Sequence, residues 1–205
     1  SDFSKNDFGH YLIMSKIKIS VKRKPPPTQA TCTLNGEVLT CWSDGRVFHE
    51  SGQQVKAKPN EKGYCRIVIN RKKKYYMHRV IYYAFNPNWD ITDTSRDNSV
   101  DHDDTNPSNC RLSNLRIATN SQNHHNTGAF VNSRTGIKGL SPGYRKKDDY
   151  WEWRIQIYAG GKFVYEKRRK VANGPIPDIL PAVPQDLIDL CKEKRKFYHG
   201  DFYHE

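Results

Sequence analysis

The sequence predicts an α+β fold built from small antiparallel β units around a strand–strand–helix core. Three observations predict it. Short segments that alternate apolar and polar residues recur between turn signals at 31–77 and again at 134–170, the pattern of half-buried strands. Helical periodicity is confined to brief stretches near 78–85, 120–128 and 185–198. Between the two β-rich regions lies a segment whose order is strand, turn-rich loop, strand and capped helix.

Taken in order, residues 1–30 are expected to be a flexible basic arm. Its end reads Lys22-Arg23-Lys24-Pro25-Pro26-Pro27, and consecutive prolines exclude a helix. Residues 31–85 form the first β-rich module. Asn35-Gly36 and Asp44-Gly45 are hairpin signals, because such turns need residues that accept positive φ. Over 63–69, Cys65, Ile67 and Ile69 fall on one face. A turn at 70–73 leads to 74–77 and then to a short helix at 78–85, which Pro87 cannot continue.

Residues 86–130 form the second module. A strand end at Ser99-Val100-Asp101-His102 precedes a loop dense in turn residues, and Leu115-Arg116-Ile117-Ala118 returns as a strand. Thr119 and Gln122 have the spacing of a capping box, so a helix begins near Asn120, with Gly128 expected to end it. Residues 131–205 form the third module, with strands at 138–145, 151–158 and 163–169 and a helix at 185–198 after a Pro-rich linker. Trp151, Trp153, Ile155 and Ile157 share one face of the middle strand. Glu152, Arg154, Gln156 and Tyr158 share the other, as in a sheet covered on one side. Leu187, Ile188, Leu190 and Cys191 make the helical stripe that would cover the tryptophan face.

Charge indicates the partner. Lys and Arg number 34 against 22 Asp and Glu in 205 residues, a net charge of +12, the electrostatic footprint of a polyphosphate binder. Residues 56–79 carry nine Lys/Arg and one Glu, and 134–170 carry eleven against four acids. Double-stranded DNA is the expected partner. The candidate contacts are Arg71, Lys72, Lys73, Lys74 and Arg79 in the first module, and Arg145, Lys146, Lys147, Arg154, Gln156 and Arg168 in the third. No run approaches the roughly 18 apolar residues of a membrane span, and no secretory signal pattern is present. The five cysteines are scattered without a C-x-x-C pair, so free thiols in an intracellular, cytoplasmic protein are expected.

The residues that carry chemistry lie at 101–123. Hydrolysis of a phosphodiester needs a base for water and a cation to absorb charge on the phosphate. His102 is neutral and basic near pH 7. Asp101 and Asn123 offer oxygens to a hard cation. Asn114 can accept a hydrogen bond from the other ring nitrogen of His102.

Asp101-His102, then Asn114-Leu115-Arg116, then Asn123, closely resembles the His-Asn-His endonucleases with the ββα-metal fold, particularly the phage homing enzymes. The resemblance implies a site-specific DNA endonuclease with one divalent cation, Mg²⁺ (or Mn²⁺ in its place). In it, His102 is the general base, Asp101 and Asn123 are the metal ligands, and Asn114 orients His102. The first module is similar to the β-rich unit that often precedes this motif. Gly136-Ile137-Lys138-Gly139-Leu140, the Trp151/Arg154/Ile155 pattern and Tyr198-His199-Gly200-Asp201-Phe202 resemble the Apetala-two DNA-binding domain of plant ethylene-response factors and phage nucleases. A monomer with no small-molecule substrate is implied. Two loop positions depart from the pattern: Thr105 stands where relatives commonly have Gly, and Cys110 where they often have Asn. The alternative from another class is a catalytically silent, sequence-specific DNA-binding regulator on the same scaffold. The charge distribution further predicts that binding and cutting separate at about residue 132.

Overall fold

The computed structural model describes residues 25–70 and 73–205. Most of the expected basic arm, and the candidate contacts Arg71 and Lys72, lie outside the described residues. The architecture is α+β, with four small antiparallel sheets among the described residues.

Strands β1 (Gln29–Leu34), β2 (Glu37–Trp42) and β3 (Val47–His49) form the first sheet in sequence order. The β1–β2 turn is the predicted one: Asn35 and Gly36 both hold positive φ, at 49° and 79°. Strands β4 (Arg66–Ile69) and β5 (Lys73–Tyr76) make a hairpin that runs straight into α1 (Met77–Phe85). The apolar faces of these elements, including Leu39, Ile67, Ile69, Val80 and Ile81, join Val100, Cys110 and Leu115 in one hydrophobic cluster. A single core therefore crosses residue 85, where the sequence suggested a boundary between two modules.

Loop 86–98 is held by Arg79. Its guanidinium donates to the carbonyls of Ile91 (2.9 Å), Asp93 (2.8 Å) and Asn98 (3.1 Å) and lies 4.6 Å over the Trp89 ring. Three of the five Arg79 donors thus serve backbone acceptors that need partners once covered, which gives this expected DNA contact a structural duty in the loop.

The central unit comprises β6 (Ser99–His102), β7 (Leu115–Ala118) and α2 (Asn120–His125). The capping box forms as predicted, with Thr119 accepting from the Gln122 amide and Gln122 accepting from the Thr119 amide. The helix ends at His125 rather than near Gly128, with Asn126 as its C-cap donating its backbone N–H to the Gln122 carbonyl.

The third module is a sheet of order β10-β9-β8, formed by β8 (Leu140–Arg145), β9 (Tyr150–Ala159) and β10 (Lys162–Asn173), and covered by α3 (Gln185–His199). Trp151, Trp153, Ile155 and Ile157 pack with Leu187 and Cys191 in a second core. The buried stripe of α3 continues at four-residue steps through Arg195 and His199, two polar members that the apolar pattern could not show. All five cysteines are free and buried. Among the described residues no helix is long and apolar enough to cross a membrane.

The boundary near residue 132 is bridged by side chains. The His125 and His199 rings stack at 3.9 Å. Arg116 donates to the Asp201 carbonyl at 2.6 Å and lies 4.0 Å over the Phe202 ring. Lys138 donates to the Thr127 carbonyl at 2.9 Å and to the His124 carbonyl, closing the end of α2.

Candidate active site

Strands β6 and β7 pair so that Asp101 lies opposite Arg116 and His102 opposite Leu115. Alternation along β6 sends the two neighbouring side chains to opposite faces. The 12-residue spacing from His102 to Asn114 is taken up by a loop that Asn114 organises. Its Oδ1 accepts from the Asp104 amide (3.0 Å), and its Nδ2 donates to Asp104 Oδ1 and to the Asn109 carbonyl (both 2.9 Å). All three of these side-chain bonds go to the loop and none to the His102 ring. The expected orienting bond is corrected: Asn114 shapes the loop after His102 rather than selecting its tautomer. Thr105, in that loop, holds φ 59°, the left-handed region in which a β-branched residue is strained.

His102 is 5% exposed. Its ring meets the edge of His78 at 4.7 Å and of Tyr64 at 5.9 Å. Burial pushes its pKa below the usual value, with Asp101 and Asp104 opposing the shift. His78 is pushed to about 3, first by burial and then by the charges of His102 and Arg79. His102 therefore stands neutral at physiological pH, the form a base requires.

A cavity of about 150 Å³ opens onto His102, Asp101 and Asn123, with Tyr64, Thr105 and Pro107 among its walls. Inside the fold, His102 Nε2 and Asn123 Oδ1 are both buried without a hydrogen-bond partner. Orphaned buried polar atoms are rare and costly, and two share this one cavity. Asp101 uses Oδ2 for Arg116 Nε (3.1 Å) and Asn126 Nδ2 (2.9 Å). Asn126 also donates to the His102 carbonyl (2.8 Å), so a single amide fixes both β6 residues.

The donor set suits a hard divalent cation: one carboxylate with Oδ1 outside these two bonds, and one amide oxygen with no partner. Three or more His, Cys, Asp or Glu side chains do not converge on a common point among the described residues. Asn126, Tyr64 and Arg116 are parts of the site that sequence reasoning did not assign. Asn126 alone had a legible signal, since it follows Asn123 by three residues and so shares its helix face. His125 turns away from the cavity onto His199.

The first β module closes one wall. Gly63 holds φ 81°, and a Cβ there would lie 2.6 Å from Pro107 Cγ. Its carbonyl accepts from Ser108 Oγ at 2.7 Å.

The basic candidates lie in three places. Lys73 and Lys74 are exposed on β5, and Arg145, Lys146 and Lys147 are exposed at the β8–β9 turn. Arg154, Gln156 and Arg168 share the outer face of the third module, where Arg168 pairs opposite Arg154 and Glu166 opposite Gln156. There Glu152, 1% exposed, accepts from Arg154 at 3.1 Å, and Glu166 accepts from Arg168 (2.8 Å) and Gln156 (3.1 Å).

Two antiparallel strands and a capped helix thus bring a buried imidazole beside a carboxylate and an unpartnered amide oxygen. Residues 75–125 match the family model described as HNH endonuclease. The match supports an HNH nuclease and runs from the end of β5 through α2, including Asp101, His102, Asn114 and Asn123. No curated protein matches the chain, and no solved structure matches it.

Proposed function

We propose that the chain is a site-specific, homing-type endonuclease that hydrolyses phosphodiester bonds in double-stranded DNA with one divalent cation, Mg²⁺ or Mn²⁺. The observation that carries this reading is the pair of orphaned atoms, His102 Nε2 and Asn123 Oδ1, in one cavity with Asp101, inside the segment matched by the HNH family.

His102 accepts the proton of the attacking water at Nε2, the ring atom left without a partner. Burial and the flanking rings of His78 and Tyr64 hold the imidazole in place, which lowers the entropy cost of the attack. Asp101 and Asn123 hold the cation, which when bound supplies neutralisation of charge developing on the phosphate. Arg116 and Asn126 fix Asp101 through Oδ2. The outer face of the third module, similar to an Apetala-two domain, reads the target, and Lys73, Lys74, Arg145, Lys146 and Lys147 meet phosphates.

Supercoiled plasmid carrying candidate target DNA tests this directly. With Mg²⁺ or Mn²⁺ the protein should relax or linearise it, and chelator should stop the reaction. Asp101→Ala and Asn123→Ala should each lose cleavage and weaken Mn²⁺ binding by tenfold or more, read by the spin-resonance signal of free Mn²⁺. Unchanged Mn²⁺ binding in both variants would remove these residues from the metal site.

A further inference from the structure

On the far side of α2 from β6 and β7, at its seam with the third module, lies a cavity of about 410 Å³, against about 150 Å³ at His102. Its cationic side is Lys138 and Arg195, with the His199 ring beside them, and Phe130 and Tyr158 stand at its edge. None of its lining residues is Asp or Glu. Arg195 is 4% exposed, and its Nη2 donates to the His204 carbonyl at 2.6 Å while its Nε has no partner. His199 bonds the Tyr158 carbonyl through Nε2 at 3.1 Å, and its Nδ1 is likewise unpartnered. Lys138 Nζ is taken up by Thr127 and the His124 carbonyl, so it contributes charge rather than a free donor. Phe130 and Tyr158 are 76% and 54% exposed, two rings held open to water beside a pocket.

Three properties select the occupant. Exposed aromatic faces take a flat ring, as in sites that stack bases. A cationic side without an acid takes negative charge. The volume falls in the range of roughly 300–1,000 Å³ typical of small-ligand pockets, enough for one base with its sugar and too small for a base pair. A nucleotide joins these properties. Thr127 lines both this cavity and the one at His102, so the two adjoin and a strand with its phosphate at His102 lies within reach of the second.

We propose that the seam cavity takes one nucleotide of the substrate strand, unstacked from its neighbours, with the base against Phe130 and Tyr158 and the phosphate toward Arg195. It rests on the chain being the DNA endonuclease proposed above. Unstacking costs a few kcal/mol in general, and the two rings and the cationic side are what the cavity offers in return.

The test uses the full chain carrying His102→Ala, which binds without cutting. It is added to duplexes containing the cleavage site, with 2-aminopurine placed in turn at each position flanking the cut. At one position fluorescence should rise several-fold on binding. Phe130→Ala and Tyr158→Ala, both at exposed positions that leave the cores intact, should abolish the rise and weaken binding of that duplex by about fivefold to a hundredfold. Deoxynucleoside monophosphates are titrated against the same protein by NMR. If a monophosphate binds in a Phe130-dependent way while no position brightens, the cavity serves free nucleotides and the proposal is overturned. If wild type cuts the duplex and the His102→Ala protein binds it with no position brightened, or with a rise unchanged in both ring variants, the proposal is overturned and the nuclease reading stands. A protein that neither binds nor cuts DNA overturns the nuclease reading, and the proposal with it.

Discussion

The cavity at His102 and the outer face of the third module are both polar, and they treat their polar atoms in opposite ways. In the cavity, His102 Nε2 and Asn123 Oδ1 are buried and unpaired. On the sheet face, Arg154, Gln156 and Arg168 are already bonded to Glu152 and Glu166, although Arg154 and Arg168 sit directly opposite one another. Like charges so placed repel, and Glu152 stands within 3.7 Å of both guanidinium groups. The difference separates two kinds of preparation. The cavity keeps polar atoms free of protein partners, as a site that receives groups during a reaction would. The sheet face holds its cations in a set geometry against Glu152 and Glu166 but leaves donors such as Arg154 Nε without a partner, so it favours a ligand that fits that geometry.

The largest effect that would break this contrast concerns His102. His102→Ala should lower cleavage by about 10²–10⁴-fold, the usual contribution of a positioned base, and leave duplex affinity nearly unchanged in an anisotropy titration. Cleavage at the wild-type rate would remove His102 from the role. On the sheet face, Arg154→Ala should relax preference at one target position by about 1–3 kcal/mol, whereas Lys147→Ala should weaken all duplexes alike and flatten the salt dependence. Selection from randomised duplexes checks both, and an unaltered preference in Arg154→Ala would deny the face a reading role.

Acid should sharpen the contrast, because His78 and His199 are held at about 3 and about 4, chiefly by burial. The unfolded chain protonates each near 6.5, so below that pH it binds more protons than the folded chain and stability falls. The contribution is complete above pH 6.5 and is lost toward pH 3 for His78 and pH 4 for His199. Between pH 7 and pH 5 the loss should be about 2 kcal/mol per site, measured by denaturant titration. A flat profile over that range would contradict both burial assignments. The smallest effect is at Thr105, held at φ 59°. Thr105→Gly should stabilise the fold by about 1 kcal/mol, raising the melting temperature by a few degrees. A lower melting temperature would show that the side chain offsets its backbone strain.

Local chemistry made much of this legible in the sequence. Asn35-Gly36, the Thr119/Gln122 capping box and the alternation of Trp151 to Ile157 each specify structure within a few residues, and each is present as read. Asp101, His102 and Asn123 read as candidates because their residue types and order carry chemistry, and all three line one cavity. What escaped depends on partners far along the chain. Arg79 reads as one more cation in a basic run until loop 86–98 supplies three carbonyls. Asn114 reads as a partner for His102 until Asp104 and Asn109 fold back onto it. Glu152 reads as a surface carboxylate until Arg154 and Arg168 close over it.

Arg116 links distant parts of the chain in time as well as in space. It touches Asp101 across the β6–β7 pair, and it also touches the Asp201 carbonyl, 85 residues further on, and the Phe202 ring. Synthesis runs from the N-terminus, and the segment around Asp101 leaves the ribosome well before residues 201–202. During that interval the nascent chain holds Asp101, His102 and Asn123, but its Arg116 has neither the carbonyl nor the ring to anchor it. Only when that late segment docks is the guanidinium beside Asp101 held from both sides. Arg116 therefore completes its set of contacts beside Asp101 only after residues 201–202 have been made, although the other residues of the candidate site come from the middle of the chain.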